Sequence, residues 1–274
     1  MRTCHDGEQD EIQRTAAQPA LHGLLARFYD QIMGDVVPAM SRHAREKILA
    51  KEWRQIESVL ELACGSGATA VDLAKKGLDV EATDLSPAFV AQTRRRAKAA
   101  GVALRVSRGD MRSLPRTVLR RLRARPVDLV LCEFSALNNL ADRRDLAPVL
   151  RTAAQALAPG GLFLFDIDTP FSFKTKLANH DVGGAAGLRA GHPRSIRAEA
   201  AAMQPRIRGF LPAQRGLWRR ARETIHHVTW SEAEIRRALR AAGFKSVKTF
   251  DGIDVRPRME GAVRGTDLYF LARR

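Results

Sequence analysis

VLELACGSGATA, residues 59–70, is the stretch on which the fold turns. A β-rich run, ESVLEL (57–62), enters a loop with glycines at positions 65 and 67, and a helical pattern follows from Ala68 to Lys76. Glycine has no Cβ, so the backbone of such a loop can approach a ligand closely. The helix start beyond it supplies backbone N–H groups with no partner inside the helix. Gly77 ends the helix, as glycine commonly does at that position. The next strand, LDVEATD (78–84), finishes on Asp84, 19 residues after Gly65. An acidic side chain there accepts both hydroxyls of a ribose. Loop and acid together point to a cofactor that contains adenosine.

Working outward, strands and helices alternate. SPAFVAQTRRRAKAAG follows Asp84 and Leu85, with Ser86 as N-cap, Pro87 at the first helical position and Gly101 as the stop. Further strands are read at ALRVS (103–107), PVDLVLC (126–132) and LFLFDID (162–168), with a helix over 142–157 and a PGG turn at 159–161. Upstream, helical patterns cover 21–33 and 38–53. Strands alternating with helices indicate βαβ units and a parallel sheet, and nearly continuous apolar runs indicate strands covered on both faces. SEAEIRRALRAAG (231–243) is a helix opened by a Ser231–Glu234 capping box. SVKTFDG (246–252) and TDLYFLAR (266–273) have only a loop between them, so they are expected to pair antiparallel.

Taken literally, GSGATA also fits G-x-G-x-x-A, a dinucleotide fingerprint, so the loop alone does not choose between a nicotinamide and a methyl-donor cofactor. Glu61, before the loop, suits a cofactor with an ammonium and a sulfonium and would repel a pyrophosphate. Asp110, in RGDM after the third strand, is placed to accept a hydrogen bond from an adenine amino group. A nicotinamide oxidoreductase would want a catalytic Tyr or His–Asp pair beside the cofactor, and neither Tyr29 nor Tyr269 sits after the fourth strand with a Lys at helical spacing.

The set resembles the class I methyltransferases that use S-adenosylmethionine. ELACGSG is similar to their first motif, EATDLSP to the ribose-binding second, RGDM to the adenine-binding acidic motif, and DLVLCEFSALNNL and LAPGGLFLFDIDTP to the fourth- and fifth-strand segments. WSEAEIRRALRAAGF with YFLARR resembles the usual ending. FYDQIM (28–33) is similar to a Tyr-Asp segment that covers the cofactor in many small-molecule members. The resemblance covers residues 26–274 and implies a Rossmann-like, seven-stranded, mostly parallel sheet, its last strand antiparallel, with helices on both faces and a basic insertion after the fifth strand. Ala63 stands where the first glycine of the motif is usual. The cofactor site expected from all this comprises Tyr29, Glu61, Ala63, Gly65, Gly67, Asp84, Leu85, Gly109, Asp110, Met111, Cys132, Glu133 and Phe134.

The expected activity is in-line methyl transfer to O, N or C of a small molecule. The alternative is a nucleic-acid methyltransferase, although CEFSALNN lacks the Pro-Pro-Tyr/Phe and Pro-Cys segments of the base-modifying enzymes. A non-catalytic binding protein of the same fold is a third reading. The sulfonium is already activated, so proximity and orientation carry most of the catalysis and no triad is required. Candidates to take a proton are His227 and Glu133. Adjacent histidines in a strand, as in RETIHHVTW, point to opposite faces and cannot form one metal site. Cys4, Cys64 and Cys132 are three widely spaced cysteines, which form no metal or disulfide pattern and suit reduced thiols in a cytoplasmic protein.

With 274 residues, 45% of them hydrophobic, the chain suits a single domain over 21–274 behind a tail at 1–20. No signal peptide and no membrane-spanning stretch is read. The net charge of +16 is uneven: residues 171–274 hold 21 basic and 9 acidic residues, against 25 and 21 in residues 1–170. Residues 171–225 break the strand–helix rhythm, and 171–230 are read as an insertion that covers the substrate. They combine Arg206, Arg208, Arg215, Arg219, Arg220 and Arg222 with Phe210, Trp218 and Trp230, a mixture that suits an anionic or aromatic acceptor.

Overall fold

The computed structural model describes residues 30, 36–169, 188–191, 202–203, 206–212, 218–224, 227–252 and 267–274. Helix α1 (Val36–Ile48) precedes β1 (Ser58–Leu62), α2 (Ala68–Lys75), β2 (Asp79–Asp84), α3 (Pro87–Ala99), β3 (Arg105–Arg108), α4 (Arg116–Ala124), β4 (Val127–Cys132), α5 (Leu146–Ala156) and β5 (Leu157–Asp168). Short strands β6 (Leu188–Gly191), β7 (Ala202–Met203), β8 (Arg206–Pro212), β9 (Trp218–Thr224) and β10 (His227–Val228) follow. Helix α6 (Glu232–Ala241), β11 (Ser246–Asp251) and β12 (Asp267–Arg273) close the chain.

Seven strands form one sheet in the order β11-β12-β5-β4-β1-β2-β3. The β1–β2, β1–β4, β2–β3 and β4–β5 pairs are parallel. Strand β12 slots between β5 and β11 and runs antiparallel to both. This is the expected Rossmann-like sheet, with the strand order reversing between β1 and β4, where open α/β sheets bind ligands at their carboxyl edge.

Alternation splits the buried strand residues between two cores. On one face Leu60, Val130, Phe163, Phe165 and Phe270 meet α4, α5 and α6, joined by Trp230 and Val228. On the other, Val59, Leu129, Leu131, Leu164 and Leu271 meet α1 and α2 through Ala44, Ile48, Ala70 and Leu73. Stacked Phe163–Phe165 and Phe165–Phe270 rings, with centroids 4.6 and 5.1 Å apart, anchor the first.

The helix caps stand where the sequence puts them. The Ser86 hydroxyl accepts the Phe89 N–H, and Ser231 and Glu234 form the capping box. Four features differ from expectation. The upstream helix stops at Ile48 and resumes only as a 3-10 turn, Trp53–Gln55. Helix α4 forms from RTVLRRLRA, where Val118 and Leu122 alone are buried among arginines. Strand β5 begins at Leu157, five residues before the apolar run, because the PGG turn is carried within it. The aperiodic insertion contains a three-stranded antiparallel sheet, β6-β8-β9, and a separate β7–β10 pair. The tail at 1–20 and residue Tyr29 lie outside the described residues.

Candidate cofactor and acceptor site

The first glycine loop is bound down by Asp84. One carboxylate oxygen accepts the Gly65 N–H at 2.9 Å and the other the Ser86 N–H at 2.8 Å. Gly65 has φ +54°, and nothing lies within 4 Å of where a Cβ would stand, so the space above the loop is open. Gly67 has φ +78°, and a Cβ there would meet Thr93 at 2.4 Å; glycine is obligatory for loop and helix α3 to pack. Ala63 also takes a left-handed backbone, φ 52°. The chain thus keeps the glycine conformation at a residue with a methyl group.

Beyond the loop, one face of the sheet carries a row of acids at its carboxyl edge. Glu61 is opposite Ala82 in β2 and Leu131 in β4, so it shares their face. Two residues beyond Ala82 stands Asp84, and two beyond Leu131 stands Glu133. Leu131 is opposite Leu164 in β5, two and four residues before Asp166 and Asp168, and Asp168 is opposite Asp267 in β12. The row therefore crosses five adjacent strands, β2-β1-β4-β5-β12, and all six acids are buried. It lies on the α1/α2 side of the sheet, and α1 meets it with Arg45, which is 1% exposed. The Arg45 guanidinium donates to Glu133 Oε2 at 2.6 Å and lies 3.6 Å from Asp72.

Compensation along the row is incomplete. Glu61 accepts the Ala70 N–H, but its Oε2 has no hydrogen-bond partner. Glu133 Oε2 takes Arg45 and, more weakly, the Thr69 hydroxyl at 3.4 Å, while Oε1 has none. Asp166 Oδ2 takes the Ser135 N–H at 2.8 Å and its hydroxyl at 3.1 Å, while Oδ1 has none. Burial, then the nearby Glu133 charge, pushes the Asp166 carboxyl up to about 7. Burial and Glu133 likewise hold Glu61 well above the ordinary carboxylate range. Buried polar groups are ordinarily hydrogen-bonded, so three orphaned carboxylate oxygens at one edge make it a candidate site for a cationic group.

The segment after β4 is strained toward this task. Phe134 and Ser135 both have left-handed backbones, φ 65° and 51°, which turn the Ser135 N–H onto Asp166. The fully buried Asn138 then braces the neighbouring strand ends. Its amide donates to the Asp168 and Val228 carbonyls at 2.9 and 2.8 Å and accepts the Asp168 N–H at 2.9 Å. That brace sets His227 Nε2 3.8 Å from Asp168 Oδ2.

The other expected site residues divide. Gly109 donates its N–H to the Asp84 carbonyl at 2.9 Å, and the Leu85 carbonyl accepts from Arg108 at 3.2 Å, so both sit at the carboxyl end of β2. Asp110 stands there too, but its carboxylate is gripped by Arg112 at 2.7–3.1 Å, with Arg112 also bound to Asp145. Met111 packs against the core on the α4/α5 side. Cys132 is a fully buried thiol on that same side, pushed well above the usual range by burial and then by Asp166; it is core, not nucleophile. Trp230, read as part of an aromatic-basic surface, is 3% exposed and belongs to the core. Along the insertion, register sets Arg208 opposite both Arg189 and Arg222, and Phe210 opposite Arg220. Arg215 lies outside the described residues. Arg45, Ser135, Asp166, Asp168 and Asp267 were not singled out from sequence, although the alternation in FDID puts both acids on one face.

With this geometry in view, the comparisons are specific. Residues 59–161, from β1 through the turn of β5, match the family described as a methyltransferase domain. Residues 59–161 thus carry a methyltransferase domain. In sequence it is similar to YqeM of Bacillus subtilis (strain 168), 27% identical over 146 residues, or 53% of this chain and 55% of that protein. The chain thus spans about half the length of the curated relatives it matches. In structure the domain is similar to an S-adenosylmethionine-dependent methyltransferase from Clostridium acetobutylicum ATCC 824, with 21% identity and a TM-score of 0.71, covering 92% of this chain and 98% of that one. It is also similar to the sugar N-methyltransferase KedS8 from Streptoalloteichus sp ATCC 53650, with 22% identity and a TM-score of 0.63, covering 92% of each chain. At those identities the likeness is one of fold. Among the described residues, no helix is long and apolar enough to cross a membrane, and no three His, Cys, Asp or Glu side chains converge as metal ligands.

Proposed function

We propose that the whole chain is an enzyme that methylates a small amine with S-adenosylmethionine as the donor. The observation that carries the reading is the buried acidic row, in which three carboxylate oxygens lack partners and the buried Arg45 guanidinium pairs with Glu133 and Asp72. The cofactor and a protonated amine are both cations, and burying a carboxylate beside a cation offsets much of its desolvation. Gly65, Gly67 and Asp84 would hold the adenosine half, and Glu61 the methionine half. Asp110 would reach the adenine while keeping its bond to Arg112. The sugar N-methyltransferase likeness supports nitrogen as the acceptor atom. An anionic acceptor is disfavoured, because this edge of the sheet has acids where such a ligand needs donors.

The experiment has two stages. Calorimetry with S-adenosylhomocysteine should show one site per chain. Turnover is then followed as S-adenosylhomocysteine release from S-adenosylmethionine, across small amines and their hydroxyl counterparts of the same shape. Amines should turn over and the hydroxyl set should not. Release with hydroxyl compounds alone would overturn the amine reading while leaving the methyltransferase intact.

A further inference from the structure

The orphaned oxygens of Glu133 and Asp166 repeat the pattern of Glu61 on two neighbouring strands. Each of these two carboxylates has one oxygen fixed by donors from an adjoining element, Arg45 and Thr69 for Glu133, Ser135 for Asp166. Each leaves the other oxygen buried and without a partner. They come from neighbouring strands and lie close enough that the charge of Glu133 acts on Asp166 second only to burial. Cys132 is opposite Phe165, so Glu133 and Asp166 follow at neighbouring strand ends, and their two free oxygens make a pair of acceptors for one ammonium. We infer that Glu133 Oε1 and Asp166 Oδ1 bind the acceptor as its ammonium ion, and that Asp166 takes the proton that frees the nitrogen lone pair. This inference rests on the amine-methyltransferase reading above.

The bound ammonium gives one proton to the Asp166 carboxylate, leaving a neutral amine and a carboxylic acid still held by Ser135. When S-adenosylmethionine is bound, it supplies a methyl on a sulfonium, so the new N–C bond forms as the C–S bond breaks and that electron pair stays on sulfur. The methylated ammonium carries the positive charge and remains paired with Glu133. Around Asp166 the charged and titratable groups are Glu133 and the Cys132 thiol from β4, Asp168 on its own strand and Tyr269 opposite it on β12; Arg45 acts through Glu133, and His227 through Asp168. A carboxyl at about 7 is matched to exchanging a proton near neutral pH.

Sinefungin tests the pair without a known acceptor. It is a cofactor analogue with a C–NH3+ group where S-adenosylmethionine carries its sulfonium methyl, whereas S-adenosylhomocysteine has neither. The wild-type chain should bind sinefungin at least ~10-fold more tightly than S-adenosylhomocysteine, the ratio that ~1.4 kcal/mol gives. Glu133→Gln and Asp166→Asn should each pull that ratio toward one. At pH 7, a carboxyl at about 7 is half protonated, so sinefungin should displace up to ~0.5 proton more than S-adenosylhomocysteine, read by calorimetry in buffers of different ionisation enthalpy. Asp166→Asn should abolish that difference. If Asp166→Asn no longer binds S-adenosylhomocysteine, Glu133→Gln decides by its ratio. A wild-type ratio near one, or a ratio unchanged in the variant that still binds, overturns the inference and leaves the methyltransferase reading standing. Failure of the wild type to bind S-adenosylhomocysteine overturns that reading, and the inference with it.

Discussion

Glu61 and Glu81 stand on adjacent strands at nearly equal depth, 5% and 3% exposed, yet on opposite faces of the sheet. Glu81 faces α4 and is closed. Arg105 donates to it at 3.1 Å, Arg121 through two nitrogens at 2.6 and 3.1 Å, and the Ser107 hydroxyl at 3.4 Å. Glu61 faces α1 and α2 and keeps an oxygen with no partner. The arginines on Glu81 are almost half exposed and come from the surface, whereas Arg45 is itself buried and serves Glu133. One face has used its cations to finish the fold. The other has left carboxylates short of cations where the strand order reverses. Burial does not distinguish these two acids; the state of the second oxygen does.

The largest expected effect breaks this contrast at its cations. Arg45→Met strands Glu133 in the interior, so unfolding without ligand should cost about 3–5 kcal/mol less, the usual penalty for removing one partner of a buried pair. Arg121→Met on the other face should cost under about 1 kcal/mol, since Arg105 still serves Glu81 and the lost side chain is near half exposed. Adding Glu133→Gln to Arg45→Met should recover most of the loss. Denaturant melts of the four proteins check this, and equal losses from the two arginine variants would dissolve the distinction between the faces.

The next effect sharpens the contrast through pH. The Asp166 carboxyl is raised in the fold from 3.8 to about 7, so between those values the folded chain binds more protons than the unfolded one. The stabilisation from this group is then full below the ordinary carboxyl range and is lost as pH rises through about 7, by at most ~1.4 kcal/mol per pH unit. Asp166→Asn should flatten that part of the stability–pH curve. A wild-type curve that instead rises from pH 4 to 7, with no change in slope on replacing Asp166, would contradict the undercompensated row.

Most of the framework was legible because local chemistry and tertiary structure agree there. The glycine loop, the Ser86 and Ser231 caps and the strands through β5 each have a residue whose physics has one outcome. Helix α4 was hidden because arginines mask its two buried residues, Val118 and Leu122. The β6-β8-β9 sheet was hidden because its strands, LRAG, RIRGFLP and WRRARET, mix arginines with apolar and small residues without a sustained period of two. At the site, Glu61, Asp84 and Glu133 were legible from their offsets to the loop and to β4. Arg45 was not. Within SRHAREK nothing marks it off from Arg42 or Lys47; only the packing of α1 on the sheet decides that it is the one carried inward.

A smaller effect concerns Asp84, the buried acid that anchors the glycine loop. Asp84 holds Gly65 and Ser86 by their N–H groups, so Asp84→Ala removes the loop's anchor as well as the acceptor proposed for the ribose. Affinity for S-adenosylhomocysteine should fall by about 1–3 kcal/mol, in the range for charge-assisted hydrogen bonds. Asp84→Asn keeps an acceptor for one N–H and should lose less. Unchanged affinity in Asp84→Ala would remove the loop from the cofactor site.

The smallest effect is set by two opposed terms at Ala63. A left-handed alanine costs roughly 1–2 kcal/mol, and its φ of 52° is well inside that region, so glycine would relieve it. Glycine also loosens the unfolded chain, by roughly 0.5–1 kcal/mol, and deletes a methyl that packs, partly buried, against the α4/α5 core. The strain term is the larger, so Ala63→Gly should leave the protein equally stable or up to about 1 kcal/mol more stable, a rise in Tm of a few degrees at most. S-adenosylhomocysteine affinity should hardly move, because the next residues, Cys64 and Gly65, are already fixed by bonds to the Thr83 carbonyl and to Asp84. A clear loss of stability would mean that the methyl's packing outweighs its backbone strain. The loop would then be held by the closed core behind it, and the open acidic face would have no part in setting its shape.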